Sequence, residues 1–418
     1  VFNLFRFSVN NDRIRGIGGF VRHVIIGNGA AGTAAALNIR KTDAEADITI
    51  LTDEAYPFYS RIRLIEYLAG EIAEEELAIY KPEWYEENRI NLLLETPVFR
   101  IDTEGNKVLT LSDERFTYDR LLISTGGVSF VPPIHGTQKE GIFTLKTIDD
   151  AKKIIAYAEG IEDVLVIGGG VLGLEAGNAL RKRGKKVSVV EFFPRLLPRQ
   201  MDPDGSEVLC AQMEEMGLRF FLGAKTREIL GDEKATGVLL EDGRQIEAGM
   251  ILISAGIRSD TRLAEDAGIE TDKRGIVVDD RMETSVKGIY AAGDVAEHRG
   301  VSYGIWPAAE KQGAVAGINM AGGNALFEGI TPSNVLKVAG IELYSAGNID
   351  AEGKCDCIVQ KDKERHLYRK LVIEDGRLRG CILLGTSEGW RKILRAIDER
   401  RDISSLREEL EKWNLQAL

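Results

Sequence analysis

Two stretches of this chain carry residue types at spacings suited to holding a dinucleotide. The first is Gly27-Asn28-Gly29-Ala30-Ala31-Gly32, with Asp53 and Glu54 lying 21 and 22 positions beyond Gly32. The second is Gly168-Gly169-Gly170-Val171-Leu172-Gly173, with Glu191 lying 18 positions beyond Gly173. In such a turn the first glycine (Gly27, Gly168) permits the sharp bend. The second (Gly29, Gly170) lets a pyrophosphate approach the backbone, and the third (Gly32, Gly173) lets helix and strand pack closely. A helix starting there presents unpaired N–H groups and a partial positive charge to the phosphates. An acid closing the next strand accepts hydrogen bonds from ribose hydroxyls. Glu191 would also repel a 2′-phosphate, and it is followed by Phe192 and Phe193 rather than arginines. The second site is therefore expected to favour NADH over NADPH.

These residues need a strand before each turn and a helix and strand after it. Val24-Ile25-Ile26 precede the first turn. An alanine-rich helix runs to about Lys41, and Ile48 to Leu51 read as a strand. Val164 to Ile167, a helix to about Arg183 and a strand from Lys186 to Val190 repeat the pattern, roughly 140 residues later. The repeat implies two nucleotide-binding domains.

Between and after them, residues 90–118 and 218–247 alternate apolar and polar and are expected to form short antiparallel strands. Apolar runs stop at Ser124-Thr125-Gly126-Gly127 and at Ser254-Ala255-Gly256, small residues that a ligand can approach. Gly288 to Asp294 read as a strand, a tight turn and an acid. Trp306-Pro307 open a small-residue helix containing Gln312 and Gly313. From Gly329 onward, strands leading into Arg- and Glu-rich helices suggest a third domain.

The 418 residues are 44% hydrophobic and 29% charged, as in soluble globular proteins. A net charge of −12 argues against a nucleic-acid partner. No uninterrupted apolar run is long enough to cross a membrane. Cys210, Cys355, Cys357 and Cys381 form no disulfide framework, which points to a reducing, cytoplasmic setting. His23, His135, His298 and His366 are scattered, so no metal site or histidine-based triad is expected. Cys355-x-Cys357 reads as two strand residues near a turn. Residues 1–20, with Arg6, Arg13 and Arg15, read as an extension before the first strand, with a targeting leader as the alternative.

The two fingerprints, Ser124-Thr125-Gly126-Gly127, Ser254-Ala255-Gly256 and Ala292-Gly293-Asp294, occur in the order that resembles the two-dinucleotide flavoproteins. These are the pyridine nucleotide–disulfide oxidoreductases and their disulfide-free relatives. The resemblance runs from residue 22 to the C-terminus. It implies an α/β fold of two Rossmann-like, three-layer ββα domains of the glutathione reductase type, plus a C-terminal α+β domain. The implied boundaries are 21–146 and 264–328 for an FAD domain, 147–263 for an NAD(H) domain and 329–418 for an interface domain. By resemblance, Gly27, Gly29, Ala30, Ala31, Gly32, Asp53, Glu54, Arg61, Thr125, Gly126, Asp294 and Trp306 would hold FAD. Gly168, Gly170, Val171, Leu172, Gly173, Glu175, Glu191 and Gly256 would hold NAD. Glu175 and Arg61 are the candidates for a catalytic role, beside the nicotinamide and the flavin.

The family's disulfide reductases carry cysteines on the helix after the first acid. Here that stretch is Tyr59-Ser60-Arg61-Ile62-Arg63-Leu64-Ile65-Glu66, without cysteine. Thiol chemistry at the flavin is therefore not expected. The aromatic-Ser-Arg segment and the C-terminal Gly380-Cys381-Ile382-Leu383-Leu384-Gly385 are more similar to NADH:rubredoxin reductases and to the flavin module of NADH-dependent nitrite reductases. The implied reaction carries electrons from NADH through FAD to a small rubredoxin- or ferredoxin-like carrier. The alternatives are an NADH oxidase-type flavoenzyme that uses oxygen as acceptor, or a flavin electron-entry subunit of a larger, nitrite reductase-like complex; a homodimer is the alternative assembly to such a complex. Arg391, Lys392, Arg395, Arg400 and Arg401, or Arg195 and Arg199, are candidates for a carrier-docking patch.

Overall fold

The computed structural model describes residues 20–330 and 333–418. The N-terminal extension, except Phe20, lies outside the described residues. The chain forms two compact units. The first comprises the described residues up to Phe58, Tyr80–Gly126 and Asp260–Glu328; the second comprises Tyr59–Ile79, Gly127–Ser259 and Gly329–Leu418.

The first unit is built on a five-stranded parallel sheet in the order Ile289–Ala291, Arg120–Ile123, Arg22–Ile26, Asp47–Leu51, Ile90–Leu93. Ile25, Ile50, Leu121, Leu122 and Ile123 are fully buried, as a sheet covered on both faces requires. The helix Ala30–Thr42 packs closely on the helix Trp306–Met320. Glycines make that approach possible, since a Cβ on Gly313 would lie 2.1 Å from the Ala31 carbonyl oxygen and one on Gly317 2.4 Å from that of Ala35. Val98–Asp102, Lys107–Thr110 and Arg115–Thr117 form the expected antiparallel side sheet. Ile90–Leu93 departs from that expectation and joins the main sheet in parallel. The helix Pro82–Glu87 precedes it, and a helical crossover returns a strand parallel to its predecessor.

The second unit holds another five-stranded parallel sheet, in the order Arg219–Leu222, Lys186–Glu191, Asp163–Ile167, Met250–Ile253, Ile142–Phe143. Its antiparallel side sheet is Thr226–Leu230, Gly237–Leu240 and Gln245–Glu247. The alternation of Arg219–Leu222 predicts a place in this side sheet, but the strand again follows a helix, Pro203–Glu215, and pairs in parallel with Lys186–Glu191. The helix Leu64–Ala69 packs on the helix Val171–Lys182, where Arg183 Nε donates to the Leu68 carbonyl. The C-terminal part is a five-stranded antiparallel sheet in the order Ser333–Val338, Ile341–Gly347, Arg377–Leu384, Leu367–Glu374, Asp356–Asp362. Its core of Leu371, Leu378, Leu383, Ile393, Leu410 and Trp413 is closed by the helix Trp390–Asp398. The architecture is the α/β one expected, with two Rossmann-like sheets and a C-terminal α+β domain.

Candidate functional sites

In the first unit, Gly27 has φ 108°, and a Cβ there would lie 2.3 Å from the Ser124 carbonyl oxygen. A Cβ on Gly32 would lie 2.0 Å from the Gly27 carbonyl oxygen. The fold itself therefore requires these two glycines. Gly29 is different. Its φ of −95° suits any residue, and a Cβ there would meet none of the described residues within 4 Å. Neither backbone strain nor packing keeps this position bare; the open space before the helix Ala30–Thr42 is left clear. That helix has no side-chain cap and no acid in its first turn, so its N–H groups face the space uncompensated.

Two buried amides border this turn and its neighbouring helix with donors unused. Asn28 Oδ1 accepts from the Tyr85 hydroxyl at 3.0 Å, while its Nδ2 has no partner among the described residues. Gln312, 1% exposed, accepts from Gly293 N at 2.9 Å, and its Nε2 has no partner among the described residues. A ligand rich in acceptor oxygens fits both, as FAD is. Asn28 was not among the expected ligands; the stretch from Trp306 to Gln312 is expected near the flavin, but the Gln312 side chain was not singled out as a donor.

The other expected residues of this site are distributed as follows. Thr125 Oγ1 donates to the Asp260 carbonyl at 3.2 Å, and Asp260 N donates to the Gly126 carbonyl at 3.0 Å. Asp294 is half-buried after Gly293, whose φ is 86°. Trp306 opens its helix and stacks on Phe58, ring centroids 5.4 Å apart. Ala31 is buried under Gly313, Ala30 and Glu54 are half-buried, and Asp53 is exposed. Arg61 lies in the second unit, where its Nη1 donates to the Lys146 carbonyl at 2.7 Å and to the Tyr59 hydroxyl at 3.0 Å.

The second turn repeats the logic of the first. Gly168 has φ 120° and leaves 2.1 Å between its would-be Cβ and the Ser254 carbonyl oxygen; Gly173 leaves the same distance to the Gly168 oxygen. A Cβ on Gly170, at φ −80°, again meets none of the described residues within 4 Å. The helix Val171–Lys182 that it opens has no side-chain cap and no acid in its first turn. Val171 is half-buried, Leu172 exposed, and Gly256 carries φ 103° in open space.

Glu191 is 6% exposed. Its carboxylate accepts from Gly169 N and from Phe193 N, the latter at 2.8 Å, tying the strand end to the glycine turn. Phe192 and Phe193 stand exposed beside it, their rings edge to face. Leu197 N donates to the Gly169 carbonyl at 3.0 Å, which folds residues 192–201 back onto the turn.

Glu175 sits two residues past Gly173. It accepts a hydrogen bond from Ala339 N, at a turn of the C-terminal sheet. Burial pushes its carboxyl up to about 7, against the opposing pull of that bond and of Lys182. The thiols behave differently. Cys355 donates to Glu374 and Cys357 to Asp350, and both are raised, Cys357 to about 12, with burial the main cause. They stay protonated at neutral pH. Cys357 is a strand residue as expected, whereas Cys355 lies in the bend just before the strand Asp356–Asp362.

Several of the basic residues proposed for docking are engaged locally. Arg195 donates to the Met201 and Pro198 carbonyls, Arg395 pairs with Glu399 at 2.7 Å, and Lys392 reaches the Leu415 carbonyl. Arg400 lines a surface hollow with Arg377, Arg379, Glu374 and Asp375. No helix among the described residues is long and apolar enough to cross a membrane.

Residues 21–313 match the family model described as pyridine nucleotide-disulphide oxidoreductase. Residues 332–401 match that of the rubredoxin NAD+ reductase C-terminal domain. The chain is 36% identical over 385 residues to the nitrite reductase [NAD(P)H] of Bacillus subtilis, an alignment covering 91% of this chain and 48% of that protein. It therefore spans about half the length of that relative. It is 32% identical over 387 residues to the NADH-rubredoxin oxidoreductase of Clostridium acetobutylicum, covering 92% of this chain and 96% of the relative. Among solved structures, an NAD-dependent persulfide reductase from A. fulgidus superposes with a TM-score of 0.85 at 30% identity, covering 92% of this chain and 78% of the other.

Proposed function

The chain belongs to the pyridine nucleotide-disulphide oxidoreductase family, and on that premise we propose that it is an FAD-dependent NADH oxidoreductase serving a small rubredoxin- or ferredoxin-like carrier. FAD, when bound, supplies the chemistry that accepts a hydride from NADH and releases its two electrons singly. One NADH would then reduce two one-electron carriers and release NAD+ and a proton.

The observation that carries this reading is the pair of bare glycines, Gly29 and Gly170. Each stands before an uncapped helix with no acid in its first turn, and among the described residues no atom lies within 4 Å of where its Cβ would be. In this reading the first space receives FAD pyrophosphate and the second that of NADH. Asn28 and Gln312 donate to FAD, and Glu191 holds the adenosine ribose of NADH. No cysteine precedes Cys210, so the segment corresponding to the family's redox disulfide has no thiol to relay electrons. The likeness of residues 332–401 to a rubredoxin reductase domain, and of the whole chain to an NADH-rubredoxin oxidoreductase, supports a small iron–sulfur carrier as the acceptor.

The test is an anaerobic titration of the FAD-loaded protein with NADH and with NADPH, followed at the flavin band, and then addition of oxidised rubredoxin, ferredoxin or air. Stoichiometric bleaching by NADH, weaker with NADPH, and rapid recovery with a carrier protein are expected. Bleaching by neither nucleotide would refute hydride transfer. Recovery only with air would make oxygen the acceptor.

A further inference from the structure

Within the second unit, a lysine of the C-terminal sheet is buried against the segment that follows Glu191. Lys370 and Asp202 are 5% and 6% exposed, and Lys370 Nζ donates to Asp202 Oδ2 at 2.9 Å. The same ammonium donates to the Asp350 carbonyl at 3.0 Å and lies 3.6 Å from the Asp350 carboxylate. The Tyr368 hydroxyl donates to Asp202 Oδ2 at 2.6 Å. Asp202 Oδ1 accepts from Gly205 N at 2.9 Å and so caps the helix Pro203–Glu215. A Cβ on Gly205 would lie 2.8 Å from the Tyr368 ring, so the helix start rests directly on that ring.

The segment between Glu191 and Asp202 is fixed at both ends. At the Glu191 end, the carboxylate takes Gly169 N and Phe193 N, and Leu197 N reaches the Gly169 carbonyl. At the Asp202 end, Leu196 N donates to Ser206 Oγ at 2.8 Å, inside the helix that Asp202 caps. Leu196, Leu197 and Met201 are fully buried, and Leu197 is held at φ 49°, a conformation that a branched side chain adopts only under constraint. Displacing Asp202 therefore moves the backing of the glycine turn and of Glu191.

We propose that Lys370 and Tyr368 are positioning residues for the pyridine-nucleotide site, acting through Asp202 to hold the Glu191–Asp202 segment against the glycine turn. The inference rests on the function proposed above and extends it, because it gives the C-terminal domain control over the adenosine half of NADH. Removing the ammonium deprives the buried Asp202 and Asp350 carboxylates of the cation they share, and they separate or admit water. Removing the phenol withdraws one hydrogen bond from Asp202.

The experiment uses full-length, FAD-loaded wild type, Lys370→Met and Tyr368→Phe. ADP-ribose binding is measured by calorimetry, and flavin reduction with NADH and with reduced nicotinamide mononucleotide, which lacks the adenosine half. The dissociation constant for ADP-ribose should rise about tenfold in Lys370→Met and about threefold in Tyr368→Phe. The half-saturating NADH concentration should rise in parallel, with the limiting rate of flavin reduction unchanged. The mononucleotide should reduce all three proteins alike. Unchanged ADP-ribose affinity in the variants, or an equal loss with the mononucleotide, would overturn the proposal. If Lys370→Met does not fold, Tyr368→Phe decides by the same criteria. A wild type that binds neither NADH nor ADP-ribose would remove the proposed function and this inference together. A wild type that binds both, with unaltered variants, removes the inference alone.

Discussion

Replacing Glu175 with Gln should make the protein more stable at alkaline than at acidic pH, relative to wild type. The side chain is half-buried, accepts from Ala339 N, and has its carboxyl raised from 4.5 to about 7 by burial. The folded protein thus holds this proton more tightly than the unfolded chain does. Stability from this group is full below the unfolded value of 4.5, is lost as pH rises, and levels off above about 7. At 1.36 kcal/mol per tenfold change in proton affinity, the shift caps the cost of ionisation at about 3 kcal/mol. The carboxyl keeps some contact with solvent, and screening brings the expected effect to ~1–2 kcal/mol. Glutamine retains a carbonyl for Ala339 N but has no charge to bury. Its advantage over wild type should therefore grow by ~1–2 kcal/mol between pH 5 and pH 8. Urea unfolding midpoints at half-unit pH steps, with FAD in fixed excess, measure this directly. A difference that stays constant with pH, or a variant that is weaker at pH 8, would refute the argument, because either result means that the carboxylate is stably ionised in the fold.

The bare glycines give a paired prediction. Gly170→Ala should fold normally and keep FAD yet lose reduction by NADH, and Gly29→Ala should fold yet lose FAD; calorimetric melts with flavin content check both. Gly32→Ala and Gly173→Ala, whose new Cβ would overlap a carbonyl oxygen, should lose soluble folded protein, which expression and melting read out. Glu191→Gln places an amide N–H₂ against either Gly169 N–H or Phe193 N–H, and NADH affinity should fall roughly tenfold or more with FAD content unchanged. Gly205→Ala drives a methyl into the Tyr368 ring and should cost about 1–3 kcal/mol of stability in urea melts.

The nucleotide turns were legible in the sequence because everything that defines them is local. Strand, glycine spacing, helix and terminal acid lie within about 30 residues of one another, and the structure reproduces each one. Pairing direction was less legible. Ile90–Leu93 and Arg219–Leu222 alternate like hairpin strands, but their partners are chosen by the helices before them. Contacts between distant residues left no trace in any window. Lys370 and Asp202 are 168 positions apart, and nothing near either announces a buried ion pair. Likewise, Glu175 looked like a helix residue near a nucleotide, and only the structure reveals its bond to Ala339.

The first parallel sheet closes late. Its outer strand Ile289–Ala291 pairs with Arg120–Ile123, which left the ribosome more than 160 residues earlier. At ~5–20 residues per second, the nascent chain waits roughly 10–30 s with that strand's edge unpaired. The helix Trp306–Met320, which covers Ala30–Thr42, arrives later still. The second sheet draws all its strands from residues 142–253, so its complement is complete while the first still lacks an edge. A chain released before Ile289 would expose Leu121, Leu122 and Ile123 as a sticky β-edge, and aggregation rather than a flavin-free intermediate is its expected fate.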